Sequence, residues 1–154
     1  MNDGPKVIGN PLRVSVYLLV AAYIVGEFIF PKYEIAYLFQ LVAILGLILS
    51  VIIFFSGFKI FKTYDEDPVP TSTTNRIIKT GIFAYSRNPI YLSFVMFHLG
   101  MFLVFENVAY FLSGSGIAIW LHFYVIKMEE KYLLETFPEE FERYMGAVKR
   151  WLFF

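Results

Sequence analysis

The sequence contains no cysteine, which excludes a disulfide framework, a cysteine-ligated zinc or iron–sulfur site and a thiol nucleophile. Histidine is almost as scarce. His98 and His122 are the only two, neither sits in an HExxH pattern, and no zinc arrangement or other metal site is read from them. A Gly-rich nucleotide loop is missing, and Ser86 has no His-Asp pattern beside it that would support a serine nucleophile. Charge of either sign is thin: thirteen basic and thirteen acidic residues cancel, so no global field argues for nucleic acid. What is present is apolar. The chain is 58% hydrophobic, 20% aromatic and 17% charged, against roughly 45–50% apolar and about 25% charged in soluble domains. A single domain of 154 residues has too little interior to hide eighteen Phe and eleven Tyr, and the excess needs lipid as its solvent.

A spanning helix takes about 20 apolar residues. Ile35–Phe58 offers twenty-four without a charged side chain, and Asn107–Ile126 offers twenty more. Leu12–Phe30 carries Arg13 at its rim and Glu27 near its far end. Ile90–Phe105 is sixteen long, and Glu106-Asn107 alone divides it from the next run, the mark of a tight helical hairpin. The expectation is an all-α membrane bundle forming one domain over 1–154, with spans 12–30, 35–58, 90–105 and 107–126. Met1–Pro11 is polar and no small-residue cleavage site follows the first apolar run, so no cleavable signal is read. Twelve of the thirteen Lys and Arg lie before the first run, between the second and third, or after the fourth; only Lys32 is left for the other side. Both termini are therefore expected in the cytoplasm.

The polar mass falls into two segments on that face, 62–89 and 127–154. Twenty-eight residues is long for a connection in a compact bundle, where such loops are usually functional or disordered. Its second half, Arg76 to Tyr85, mixes aromatics, β-branched residues and Gly81, which supplies a turn or lets a ligand approach the backbone. Ser86-Arg87-Asn88-Pro89 leads into the third helix, whose N-terminus is a ready anion site. Taken alone, Arg87 also reads as a topology anchor. In the second segment Glu129-Glu130 lies just past the lipid boundary, either a solvated face or a ligand-facing acid pair. His122, seven residues earlier, is expected on the same helical face. Pro138 breaks the tail, after which Phe141, Tyr144, Met145 and Val148 mark one face of an amphipathic helix. Ser113-Gly114-Ser115-Gly116 reads as a packing surface or a berth for a flat cofactor. Glu27, an acid inside a span, stays unassigned, and His98 reads as structural.

Taken together, Lys79–Tyr91, the short hairpin, Glu129-Glu130 and the tail Phe137…Phe141…Tyr144…Val148…Arg150 resemble the isoprenylcysteine carboxyl methyltransferase / phospholipid methyltransferase superfamily. The resemblance covers about residues 68–152. It implies an integral membrane enzyme that moves a methyl group from S-adenosylmethionine to a lipophilic acceptor arriving from the bilayer: a prenylcysteine carboxylate, a phospholipid amine or another small nucleophile. By position, Gly81, Arg87, Asn88 and Tyr91 match the first motif of the superfamily, and Glu129 and Glu130 its acidic pair. Asn88 stands where the prenylcysteine enzymes commonly have His, the tail has Phe137-Pro138 for a usual Phe-Gly, and the proline that usually ends the motif is missing after Trp151. Tyr85 and Tyr144 offer faces for adenine, His122 could orient a ligand, and Arg87 with Glu130 would act at the reacting groups. Two other readings fit less of the pattern: an NADPH-dependent sterol-reductase-like oxidoreductase, which would follow the tyrosine with Gly and an acid, and a non-catalytic membrane scaffold.

The charge split makes topology testable. Reporter fusions at Lys32 and after Phe154 are expected on opposite sides of the membrane; finding both on one side overturns the four-span arrangement.

Overall fold

A computed structural model describes residues 4–152, and every regular element among them is helical. Helices α1 (Pro11–Phe28) and α2 (Tyr37–Thr63) come first. A short 3-10 turn, Gly81–Ala84, precedes α3 (Pro89–Phe105). Helix α4 (Val108–Trp120) runs on through a π-helical stretch, Leu121–Ile126, into α5 (Lys127–Thr136), and α6 (Pro138–Ala147) turns back from it. Three helical stretches are long and apolar enough to cross a membrane: α1, α2 and the continuous run Val108–Thr136. The equally apolar α3 is shorter.

Local chemistry sets several helix ends. Asn10 accepts from the backbone N–H of Arg13 at 3.1 Å ahead of Pro11, and Pro89 and Pro138 each occupy a first helical turn, where a missing N–H costs nothing. Between α3 and α4, Glu106 adopts a left-handed backbone with φ 56° and stops the helix. Its carboxylate accepts from the Ile35 N–H at 2.9 Å and the Gln40 amide at 2.7 Å. Asn107 caps α4 through the N–H of Ala109 (3.0 Å) and donates its amide to the carbonyl of Gly26 (2.7 Å). The hairpin read from two polar residues is thus bolted to α1 and to the start of α2.

Small residues occupy the helix interfaces while large apolar ones face outward. The buried residues of α2 are Ala43, Ser50 and Gly57, spaced by seven, and those of α1 are Pro11, Ser15, Ala22 and Gly26. A methyl group at Gly57 would collide with Ile90, and one at Gly100 would sit 2.7 Å from Leu47, so α2 and α3 approach closely along this seam, as helices in lipid do. Leu38, Leu45, Ile48, Ile52 and Phe55 point away from the bundle. The lateral order is α2, α3, α4, α1: the α3–α4 hairpin separates the two helices that precede it in the chain. A buried polar trio ties α1 in. Ser15 meets one ring nitrogen of His98 at 3.0 Å, and Ser113 meets the other. Gly114 lies against His98, whereas a methyl group added at Gly116 would meet nothing within 4 Å, so only the first of the two glycines marks a close approach.

The hairpin caps predict a stability effect. Asn107→Ala removes a buried cap and a buried bond to Gly26, and thermal unfolding in detergent should show a loss of about 2–3 kcal/mol.

Candidate functional site

At the end of the bundle that carries the loop 64–88 and the tail, a cleft opens among the loop, the start of α3, α5 and α6. Its cavity measures about 150 Å³, smaller than the roughly 300–1,000 Å³ typical of small-molecule sites, and it continues into an open mouth. The upper wall is loop. Glu66 accepts from the Thr74 hydroxyl at 2.8 Å and the Asn75 N–H at 3.2 Å, and Asp67 accepts from the Val69 N–H (2.9 Å) and the Ser72 hydroxyl (2.8 Å). These bonds fold a Pro/Ser/Thr stretch that has no helix or strand of its own. The lower wall is an apolar cluster of Ile77, Phe141 and Tyr144, backed by Leu133 and Phe137. The Tyr144 hydroxyl donates to the carbonyl of Phe83 at 2.6 Å. Burial raises its pKa above the ordinary tyrosine value, so it stays a neutral donor.

The polar centre is an ion cluster. Glu130, at the far side of one turn of α5, is held from two directions. Arg87 donates from Nε (3.2 Å) and Nη2 (2.8 Å) to one oxygen, Oε1. Arg150 spans both oxygens, with Nε at 3.1 Å from each and Nη2 on Oε2. The side chains of Arg87 and Glu130 are only 9% and 10% exposed. Arg87 also reaches the carbonyls of Val148 and Met145 through Nη1, and its N–H donates to the carbonyl of Lys149 at 2.9 Å. Ser86 and Asn88 donate to the carbonyl of Arg150 at 3.3 and 3.0 Å. The tail is thereby stapled along the entry to α3, and Trp151 is buried with Tyr91, Phe94, Leu121 and Val125.

Glu129 has a different environment. Its Oε1 accepts from the Tyr91 hydroxyl at 2.7 Å, no cation pairs with it among the described residues, and it lines the cleft. Adjacent acids thus have separate surroundings, one neutralised by two guanidiniums and one bonded to a tyrosine in the cleft lining.

Arg87, Asn88, Tyr91, Glu129, Glu130 and Tyr144, all singled out from sequence, line this cleft. Gly81, Tyr85 and His122 do not. Gly81 makes a turn at φ 60°, where an added methyl would sit 2.6 Å from Ile60 of α2. Tyr85 is 76% exposed, on the outer side of the 3-10 turn. His122 lies 3.5 Å from Arg150 Nη1 and edge-on to Phe123. The shared face expected for His122 and Glu129 assumed 3.6 residues per turn, whereas the stretch between them is π-helical and winds more slowly; His122 meets the acid pair through Arg150, which holds Glu130. Lining residues that sequence reasoning did not find include Pro5, Asp67, Ser72, Thr74, Arg76 and Tyr132. Asp67-Pro68 is a side-chain turn signal, realised in the bond from the Val69 N–H to Asp67, that could have marked the loop as ordered. Nothing in the sequence signals Pro5. Among the described residues, no group of three or more His, Asp or Glu is arranged to hold a metal ion.

Comparison with known proteins fits this architecture. Residues 35–140 match the phospholipid methyltransferase family, more than two thirds of the sequence, and the chain belongs to that family. Over 73 residues, 47% of its length, it is 34% identical to protein-S-isoprenylcysteine O-methyltransferase of Saccharomyces cerevisiae. That stretch makes up 30% of the yeast protein, so the two share a part rather than a whole.

The Tyr144–Phe83 bond joins the tail helix to the loop across the cleft. Tyr144→Phe deletes one buried hydrogen bond and should cost about 1–2 kcal/mol in detergent unfolding.

Proposed function

We propose that the chain is an S-adenosylmethionine-dependent methyltransferase that works at the membrane surface on a lipophilic acceptor. The observation that carries this reading is one cleft lined by both the Arg87–Tyr91 element and the Glu129–Glu130 pair, forty residues apart in sequence. Family membership supports methyl transfer. The donor set suits the cofactor: the carboxylate of Glu129 for a cationic group, the Arg87 guanidinium for a carboxylate, and the rings of Phe83, Phe141 and Tyr144 for adenine. When bound, S-adenosylmethionine supplies a methyl group on a cationic sulfur, an electrophile that needs no covalent enzyme intermediate. The protein's part is positioning and exclusion of water from the acceptor. Ile77, Ile78, Phe83, Phe141 and Leu133 make the apolar walls that do this. Phe61 at the end of α2 and Ile90 at the start of α3 carry the lining toward the bilayer, the side from which a prenylated or acylated acceptor would come. With both termini cytoplasmic, the cleft faces the cytosol, where the cofactor is dissolved. Among acceptors, a prenylcysteine-like carboxylate and a phospholipid-like amine both suit this site.

Titration calorimetry in detergent tests the reading. S-Adenosylmethionine should bind and NADPH should not, and Glu129→Gln should weaken the cofactor at least about tenfold, the loss of one charge-assisted hydrogen bond. Asn88→His should be tolerated better than Asn88→Leu. Tight NADPH binding, or binding of neither compound by folded protein, sinks the assignment.

A further inference from the structure

Two guanidiniums share one buried carboxylate, and they share it unequally. Arg150 grips both oxygens of Glu130, whereas Arg87 touches Oε1 alone. Arg87 lines the cleft; Arg150 does not. Arg150 is also fixed through its own carbonyl by Ser86 and Asn88. A two-oxygen fork is the stronger and more directional of the two contacts. The cluster carries one more positive charge than negative, an excess that two arginines do not need in order to satisfy Glu130.

We propose that Arg150 is a positioning residue: by holding Glu130 permanently, it frees Arg87 to turn its Nη2 from Glu130 into the cleft and bind the carboxylate of the methyl donor. The proposal rests on the methyl-transfer reading above and adds to it how the anion subsite is made available. Without Arg150, Arg87 is the sole partner of a buried carboxylate and cannot leave it, since an unpaired buried charge is costly. With Arg150 in place, Glu130 keeps its fork while Nη1 of Arg87 stays on the tail carbonyls of Val148 and Met145. Glu130 is then the resting partner of Arg87, and the ligand's carboxylate is its replacement.

The experiment is titration calorimetry in detergent with two probes, S-adenosylmethionine and its decarboxylated analogue. Wild type should bind the complete cofactor at least tenfold more tightly. Arg150→Gln should lose about tenfold for S-adenosylmethionine yet bind the decarboxylated compound within threefold of wild type, a discrimination that general loosening of the tail does not produce. The double variant Glu130→Gln/Arg150→Gln, in which nothing holds Arg87 back, should recover S-adenosylmethionine affinity to within about threefold of wild type. Equal affinities for the two probes in wild type, equal losses for both in Arg150→Gln, or a double variant as weak as the single one would each overturn the proposal and leave methyl transfer intact. A folded wild type that binds neither probe removes both.

Discussion

The cleft depends on one carboxylate. Glu130 sits where a spanning helix leaves the apolar layer, and an ionised acid there is costly unless fully paired. Arg87 and Arg150 supply that pairing from two separate segments. Because the partners come from the approach to α3 and from beyond α6, the same carboxylate decides where the tail lies. Tail position then decides where α6 lies, and α6 brings Phe141 and Tyr144 to the cleft wall. The backbone bonds from Arg87, Ser86 and Asn88 to the tail carbonyls follow the same geometry. One buried charge thus links three segments, beside the apolar packing of Phe141, Tyr144 and Trp151.

The apolar runs made the helices legible, since a chain with so few charges has no other place to put them. The Glu106-Asn107 break and Pro138 were legible as well, because a left-handed stop, a side-chain cap and a proline-led helix start are local chemistry. Helix neighbours were not. Large residues cover α2 on nearly every side, so its hydrophobic pattern carries almost no directional signal; the seam lies in the small residues Ala43, Ser50 and Gly57, which a search for large apolar stripes passes over. The candidate site was legible where it rests on short motifs, Arg87 to Tyr91 and the two acids. Roles within it were less so. Glu129 and Glu130 look alike in sequence, and only the fold sets one against a tyrosine and the other against two arginines. The place of His122, beside Arg150 rather than in the cleft lining, was not legible, because periodicity arguments assume a uniform helix and the π-helical stretch has no compositional mark.

Two kinds of order meet at the cleft. Below it, close helix approach and a few buried polar bonds such as Ser15–His98–Ser113 hold the bundle. Above it, the loop 64–80 is held by acids bonded to backbone N–H and hydroxyl groups, with Arg76 stacked over the Tyr64 ring and 3.6 Å from Glu66. A ligand in the cleft would touch an apolar wall of Ile77, Phe141 and Tyr144 and a wall held by polar bonds. Temperature and salt act differently on those walls.

The lateral order α2, α3, α4, α1 also bears on biogenesis. Helix α1 is made before α2, α3 and α4, yet the neighbour that covers most of its small-residue face is α4, some eighty residues later. Until then Ala22 lacks Ala109 and Tyr110 to pack on, and the carbonyl of Gly26 waits for the amide of Asn107. Helix α2 can dock as soon as α3 arrives. Helix α1 is therefore among the last of these four to find its place, and bundle closure is tied to completion of the hairpin rather than to the order of synthesis.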